Sequence, residues 1–214
     1  MNTITKTKVI TKLEMQKKDK NRCSVFINEE FAFGMDLDSV IKYDIQKGNE
    51  YTDEEYEELL KKLQYEKAKF AALRYVDYSP RTIKETIDKL HTLEFEETIV
   101  EKTIAFLKSH DYLNDLAYAK GFIRNRIEQK RHGRHKISYD LIRKGISKDI
   151  SAPILEEYQE SEYEGAIYLY HKKTKGAEIT DQKEKAKITR YLQSRGYSYE
   201  IIRDVIQQSA QQDI

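Results

Sequence analysis

Ten cations crowd into one stretch of this 214-residue chain: Lys120, Arg124, Arg126, Lys130, Arg131, Arg134 and Lys136, continued by Arg143, Lys144 and Lys148. Residues 116–150 hold ten Lys or Arg against three acids, whereas 51–115 hold ten against fifteen. A basic stripe therefore sits inside a chain whose formal net charge is only +1. Guanidinium groups at this density suit the oxygens of phosphates or carboxylates, so the chemistry on offer is anion recognition, of DNA or of an acidic protein surface. On a helix starting near Asp115, Lys120, Arg124 and Arg131 are four and seven residues apart and share one face, while Ile123 and Ile127 turn toward the core. Arg134 then stands near the start of the next helix. The competing account is a solvated helix face, balanced by acids from a neighbouring segment.

Other chemistry finds little footing. The eight glycines are scattered, with no phosphate-binding loop and no GxSxG elbow. Carboxylates are numerous, as a charge-rich helical surface requires, and no catalytic constellation stands out; neither catalysis nor a cofactor is expected. His132 and His135 have a spacing that could hold a metal, but Lys130, Arg131, Arg134 and Lys136 oppose a divalent ion, so no metal is expected. Cys23, the single cysteine, cannot form an intramolecular disulfide and reads as a small half-buried residue. Sixteen tyrosines without a tryptophan could stack on bases. Most of them (Tyr56, Tyr75, Tyr112, Tyr118, Tyr158, Tyr191 and Tyr197 among them) fall on apolar stripes or at repeat junctions, which points to packing. The N-terminus alternates Thr3, Thr5, Lys6, Thr7 and Lys8 without an apolar run, so neither a signal peptide nor a membrane span is expected and the location expected is cytoplasmic.

The elements that must carry the stripe come from a repeat. Leu90, Leu141 and Leu192 stand 51 residues apart and open three matching turns, through Glu94-Phe95, Gly145-Ile146 and Gly196-Tyr197. Isoleucines follow nine positions later (Ile99, Ile150, Ile201), and aliphatic residues at fourteen (Ile104, Leu155, Ile206). Each repeat reads as three helices: the end of a long helix, a second running from Ser79-Pro80 to about Leu90, and about 96–107; then 115–131, 134–144 and 147–158; then 161–175, 181–195 and 198–209. Ser147, Ser198 and an Asp181/Glu184 box are candidate helix starts. Pro153 should delay or kink its helix. Upstream, a hairpin through Val25-Phe26-Ile27 and Phe31-Ala32-Phe33, with an earlier strand over 10–15, needs a helix to cover it. The Thr52/Glu55 capping box starts the long helix, with Tyr56, Leu59, Leu60, Leu63, Phe70 and Leu73 as its apolar stripe. The organisation expected is 1–50 hairpin region, 51–111 long helix and first repeat, 112–159 second, basic repeat, and 160–214 third repeat. The fold class is mainly α, with tandem three-helix-bundle repeats forming an elongated curved rod behind a small N-terminal β-hairpin region.

Together and in order, Phe31-Ala32-Phe33-Gly34, Ala72-Leu73-Arg74-Tyr75, Ser79-Pro80-Arg81-Thr82, Tyr112-Leu113-Asn114-Asp115, Lys144-Gly145-Ile146 and Arg195-Gly196-Tyr197 resemble the RecX family, regulators of the RecA recombinase. The resemblance covers nearly the whole chain. It implies a monomeric, non-catalytic regulator that binds the RecA filament, mainly inhibiting its ATPase and strand exchange in recombination and DNA repair, with single- or double-stranded DNA as a further partner and no membrane. Asn114, beside Asp115, departs from a usual acid, and Glu94 from a usual glycine. The alternative is a stand-alone nucleic-acid-binding protein with helix-turn-helix-like repeats. The starts at 137–140 and 187–190 share no polar code that would read bases, which favours the regulator.

Small repeats that stack only on their neighbours make a rod rather than a sphere. Small-angle scattering of a verified monomer should return a radius of gyration well above the roughly 17 Å of a compact globule of this length; a value near that figure removes the rod.

Overall fold

A computed structural model describes residues 7–176, 179 and 181–209. Thr3, Thr5 and Lys6 lie outside the described residues. The chain divides into two compact units, Met1–Tyr75 with Lys89–Leu107, and Val76–Asp88 with Lys108–Ile214.

In the first unit, β1 (Lys8–Met15), β2 (Arg22–Ile27), β3 (Glu30–Asp36) and β4 (Glu50–Tyr51) form an antiparallel sheet of order β3-β2-β1-β4. Asn28 and Glu29 both take positive φ, 48° and 72°, the geometry a two-residue turn needs to follow the strand twist. The short helix α1 (Leu37–Lys42) and β4 go beyond the sequence reading, because pieces of six and two residues are too short to show a period. Asp36 caps α1 by accepting from the Ser39 amide at 2.8 Å.

The covering helix is α2 (Asp53–Tyr78), which opens on the expected box: the Thr52 amide donates to Glu55 at 2.8 Å and the Glu55 amide to Thr52 Oγ1 at 3.2 Å. Leu59 and Leu63 join Ile10, Val25, Phe33 and Met35 in one core. Cys23 is more than half-buried: it is 3% exposed in β2, and burial pushes its thiol pKa up. Phe70 corrects the expected stripe. It is 64% exposed, and the small residues Ala68 and Ala72 take the buried face instead.

Downstream come α3 (Ile83–Thr92), α4 (Glu97–Ser109), α5 (Asp115–Glu128), α6 (Arg134–Arg143), α7 (Lys148–Glu156), α8 (Gln159–Thr174), α9 (Gln182–Ser194) and α10 (Tyr199–Ser209). The repeat leucines Leu90, Leu141 and Leu192 are each fully buried. In each turn the amide five residues on (Phe95, Ile146, Tyr197) donates back to that leucine's carbonyl, at 3.3, 3.0 and 3.2 Å. These are Schellman closures, which put a left-handed residue at the fourth position after the leucine. Gly145 and Gly196 have φ of 84° and 95°, and Glu94 takes 61° in the same place, so the first turn keeps the geometry at the cost of backbone strain.

Three local expectations need correction. Ser79-Pro80 does not start α3; Thr82 and Glu85 do, through reciprocal 3.1 Å bonds. Ser147 precedes α7 without a side-chain cap bond, whereas Ser198 accepts from the Ile201 amide at 3.2 Å. Pro153 lies inside α7, which begins at Lys148 rather than late.

Glu66 ties α1 to α2. Burial by itself raises its pKa, but hydrogen bonds from Lys42, Lys69 and Tyr43 outweigh that and hold it at about 2. A carboxyl depressed in the folded state stabilises fully above its unfolded pKa near 4.5 and loses that contribution as pH falls toward 2. Glu66→Gln should therefore lower the urea midpoint at pH 7 and flatten the decline below pH 4.5; an unchanged acid limb contradicts the pairing.

Candidate protein and nucleic-acid interface

The basic stripe lies on α5, the turn after it, and α6. Asn114 starts α5 by accepting from the Ala117 amide at 3.0 Å, so the departure from an acid at this position keeps the capping function. Ala119, Ile123 and Ile127 form the buried face. Lys120 and Arg124 stand exposed on the flank, as the helical spacing requires. Arg131 does not extend that face. The helix ends at Glu128, Arg131 takes φ 48°, and its guanidinium lies 3.9 Å over the Tyr168 ring on α8.

Four of the cations belong instead to the junction between repeats. Arg131 offers its carbonyl to the buried Tyr197 hydroxyl at 2.8 Å; burial, together with Glu162, pushes that hydroxyl's pKa up. The Arg134 amide and Nε each donate to Glu162 at 2.7 Å, and Glu162 is 2% exposed. The Lys136 backbone lies against Gly196, where a Cβ would come within 2.5 Å of its amide. Lys144 Nζ pairs with Glu85 at 2.6 Å, and the Lys144 carbonyl accepts from Thr82 Oγ1 at 2.7 Å. Burial raises the Glu85 pKa, but the Lys144 pairing and the Thr82 amide bring it below the usual carboxylate range.

One junction is thus built twice. The carbonyl before the turn glycine accepts from the residue preceding helix two of the previous repeat: Lys144 from Thr82 Oγ1, and Arg195 from the Gly133 amide at 2.9 Å. A carboxylate from the first turn of the next repeat then accepts the first amide of that helix: Asp115 from Ile83 at 3.0 Å, and Glu162 from Arg134. A helix N-terminus leaves amides unsatisfied and favours negative charge, so the acid closes one repeat onto another. Gly133 is required here, since a Cβ would sit 2.4 Å from the Gly196 carbonyl oxygen.

The exposed remainder is Lys120, Arg124, Lys130, Arg143 and Lys148, which make no ion pair among the described residues. Arg143 lies 5.9 Å over Tyr139. Arg126 lies 4.7 Å over Phe122, and its buried Nε has no hydrogen-bond partner among the described residues. His132 is half-buried; burial first, then Lys136, Arg126 and Arg195, lower its pKa against the opposing pull of Asp140. His135 is exposed, and its amide donates to Gly196. No group of His, Cys, Asp and Glu among the described residues has the arrangement of a metal site. Tyr112, counted on packing from its place at a junction, is 53% exposed. It borders an open groove of about 700 Å³ beside α5 that the sequence does not reveal, because residues 80–81 and 111–126 meet there only through the fold.

A small antiparallel sheet followed by three-helix repeats defines a helical-repeat protein. Family models agree: the regulatory protein RecX N-terminal domain matches residues 8–56, and the first, second and third RecX three-helix domains match 68–107, 114–152 and 160–206. Regulatory protein RecX of Clostridium perfringens (strain SM101 / Type A) is 38% identical over 201 residues, covering 92% of this chain and 94% of that one. Its counterpart in Clostridioides difficile (strain 630) is 31% identical over 200 residues, with the same coverage. A crystal structure of regulatory protein RecX shares the fold at a TM-score of 0.72 and 24% identity, over 94% of this chain and 99% of that chain. The RecX structure from Lactobacillus salivarius gives 0.64 at 30% identity, over 69% and 97%. The chain belongs to the RecX family of regulatory proteins. No helix among the described residues is long and apolar enough to cross a membrane.

The junction and the groove call for opposite responses to an added methyl group. Gly133→Ala should cost about 1–3 kcal/mol through overpacking. Gly121→Ala, where a Cβ meets nothing within 4 Å, should gain about 0.5–1 kcal/mol of helix propensity. Urea melts of the two variants check this; equal midpoints refute the junction.

Proposed function

We propose that this protein binds the RecA–DNA filament as a monomer and restrains its ATP hydrolysis and strand exchange, acting in cytoplasmic recombination and DNA repair by binding, without catalysis of its own. The observation that carries the reading is membership of the RecX family together with the cations the junctions leave exposed. Lys120, Arg124, Lys130 and Arg143 are the contact residues, reaching filament DNA or an acidic protein surface. Arg131, Arg134, Lys136 and Lys144 hold the repeats that present them, and Arg126 belongs to the ring stack on α5. A stand-alone reader of DNA bases would need free helix starts, and the starts of α3 and α6 are packed against the following repeat. That supports the filament over the alternative.

The test is RecA ATPase and strand exchange on single-stranded DNA, with the protein added after filament assembly. Wild-type protein should lower both, and Lys120→Glu with Arg124→Glu and Lys130→Glu should relieve the inhibition without moving the melting temperature. If the three cations meet phosphates, the salt dependence on single strands should also drop by about 2, from roughly 0.7 per contact. Saturating wild-type protein that leaves both activities unchanged overturns the proposal; full inhibition by the triple variant returns these cations to a solvated face.

A further inference from the structure

Gly121 poses a problem that the fold does not answer. Glycine is a poor residue for the interior of a helix, yet position 121 is exposed in the middle of α5, and a Cβ there would meet no atom within 4 Å. No turn, positive φ or close backbone approach requires it. What its missing side chain does is leave the groove beside α5 open. Tyr112 and Arg81 border the groove, and Tyr118, Phe122 and Arg126 line it at successive turns of α5.

We propose that this groove docks an acidic peptide segment of a partner protein, with one apolar side chain seated over Gly121 and flanking carboxylates meeting Arg81 and Arg126. A volume of about 700 Å³ and a mostly apolar and aromatic lining with a few polar groups are those of a ligand site. The charge complementarity is specific. Arg126 lines the groove and holds its guanidinium 4.7 Å over Phe122, which fixes the positive charge in place. Tyr118 and Phe122 stack at 6.0 Å and 18°, with Arg126 one turn further along and Lys144 5.5 Å over Tyr118. Ring edges carry the positive end of the quadrupole that favours carboxylate and carbonyl oxygens, so two aromatic rings in the lining suit an acidic segment as well as an apolar side chain. Asn125 adds an amide able to pair with a peptide backbone.

The same details disfavour single-stranded nucleic acid here. Base stacking on Tyr118 and Phe122 would have to compete with their contacts to each other, to Lys144 and to Arg126. The inference does not depend on the recombinase, since the site would serve any partner carrying such a segment.

The test uses the full-length, ¹⁵N-labelled protein and three probes: a peptide of about ten aspartates and glutamates around one phenylalanine, its Asn/Gln counterpart, and an oligothymidylate of similar length. The acidic peptide should shift the Gly121 and Asn125 amides saturably, and the Asn/Gln counterpart should bind at least tenfold more weakly. Gly121→Gln should weaken the acidic peptide at least tenfold while the melting temperature holds or rises, which separates a filled groove from a damaged fold. Equal binding of the two peptides, unchanged affinity in Gly121→Gln, or oligothymidylate shifting these amides where the acidic peptide does not would each overturn the proposal. RecA inhibition by a protein that ignores the peptide would sink the groove alone, and peptide binding without RecA inhibition would sink only the filament reading.

Discussion

The contact on which the central and C-terminal repeats depend is a carboxylate that leaves its own helix to cap another. Asp115 accepts the first amide of α3 and Glu162 the first amide of α6, and in both cases the acid comes from the repeat that follows. A three-helix unit of about fifty residues buries too little apolar surface to be comfortable alone. Its second helix also starts with amides that water would otherwise have to satisfy. Taking the cap from the next repeat answers both needs, because the geometry that satisfies the amides also closes one core against the next. α9 is capped from within by Asp181, which accepts from the Glu184 amide.

The glycines follow from the same contact. Gly145 and Gly196 hold the left-handed position of a Schellman turn, and their missing side chains also admit the start of the preceding repeat's second helix, at Lys84 and Lys136. Glu94 satisfies the first demand alone. Its side chain is exposed, so a non-glycine residue at φ 61° costs backbone strain without a collision. A missing glycine in the first turn is therefore compatible with an intact repeat.

The junction also sorts the positive charge. Arginine is suited to a partly buried two-pronged pairing, and Arg134 uses its amide and Nε together on Glu162. A cation committed in this way is poorly placed to meet an outside partner as well, since that would strand a carboxylate that is almost wholly buried. The cations that stay exposed lie on the outer flank of α5, in the turn at Lys130, at the end of α6 and at the start of α7. Uniform in sequence, the stripe is divided between holding and displaying.

The sequence by itself determined the three-helix repeat, the turn geometry, the capping box of α2 and the inward face of α5, because each depends on residues within a turn or two of one another. The 51-residue spacing marked Leu90, Leu141 and Leu192, and all three are fully buried. It also placed Lys120 and Arg124 outward, where helical period alone decides. The roles of Arg131, Arg134 and Lys144 were out of reach: Arg131 leaves the helix at a positive φ, and Glu162 and Glu85 stand 28 and 59 residues from the cations they bind. Phe70 stayed exposed because Ala68 and Ala72 set the close face of α2, and Tyr112 because it borders a groove assembled from separate segments. Period and capping act locally, so they can be read along a chain; charge pairing and the opening of a groove depend on which distant segments meet, and only the packed tertiary structure decides that.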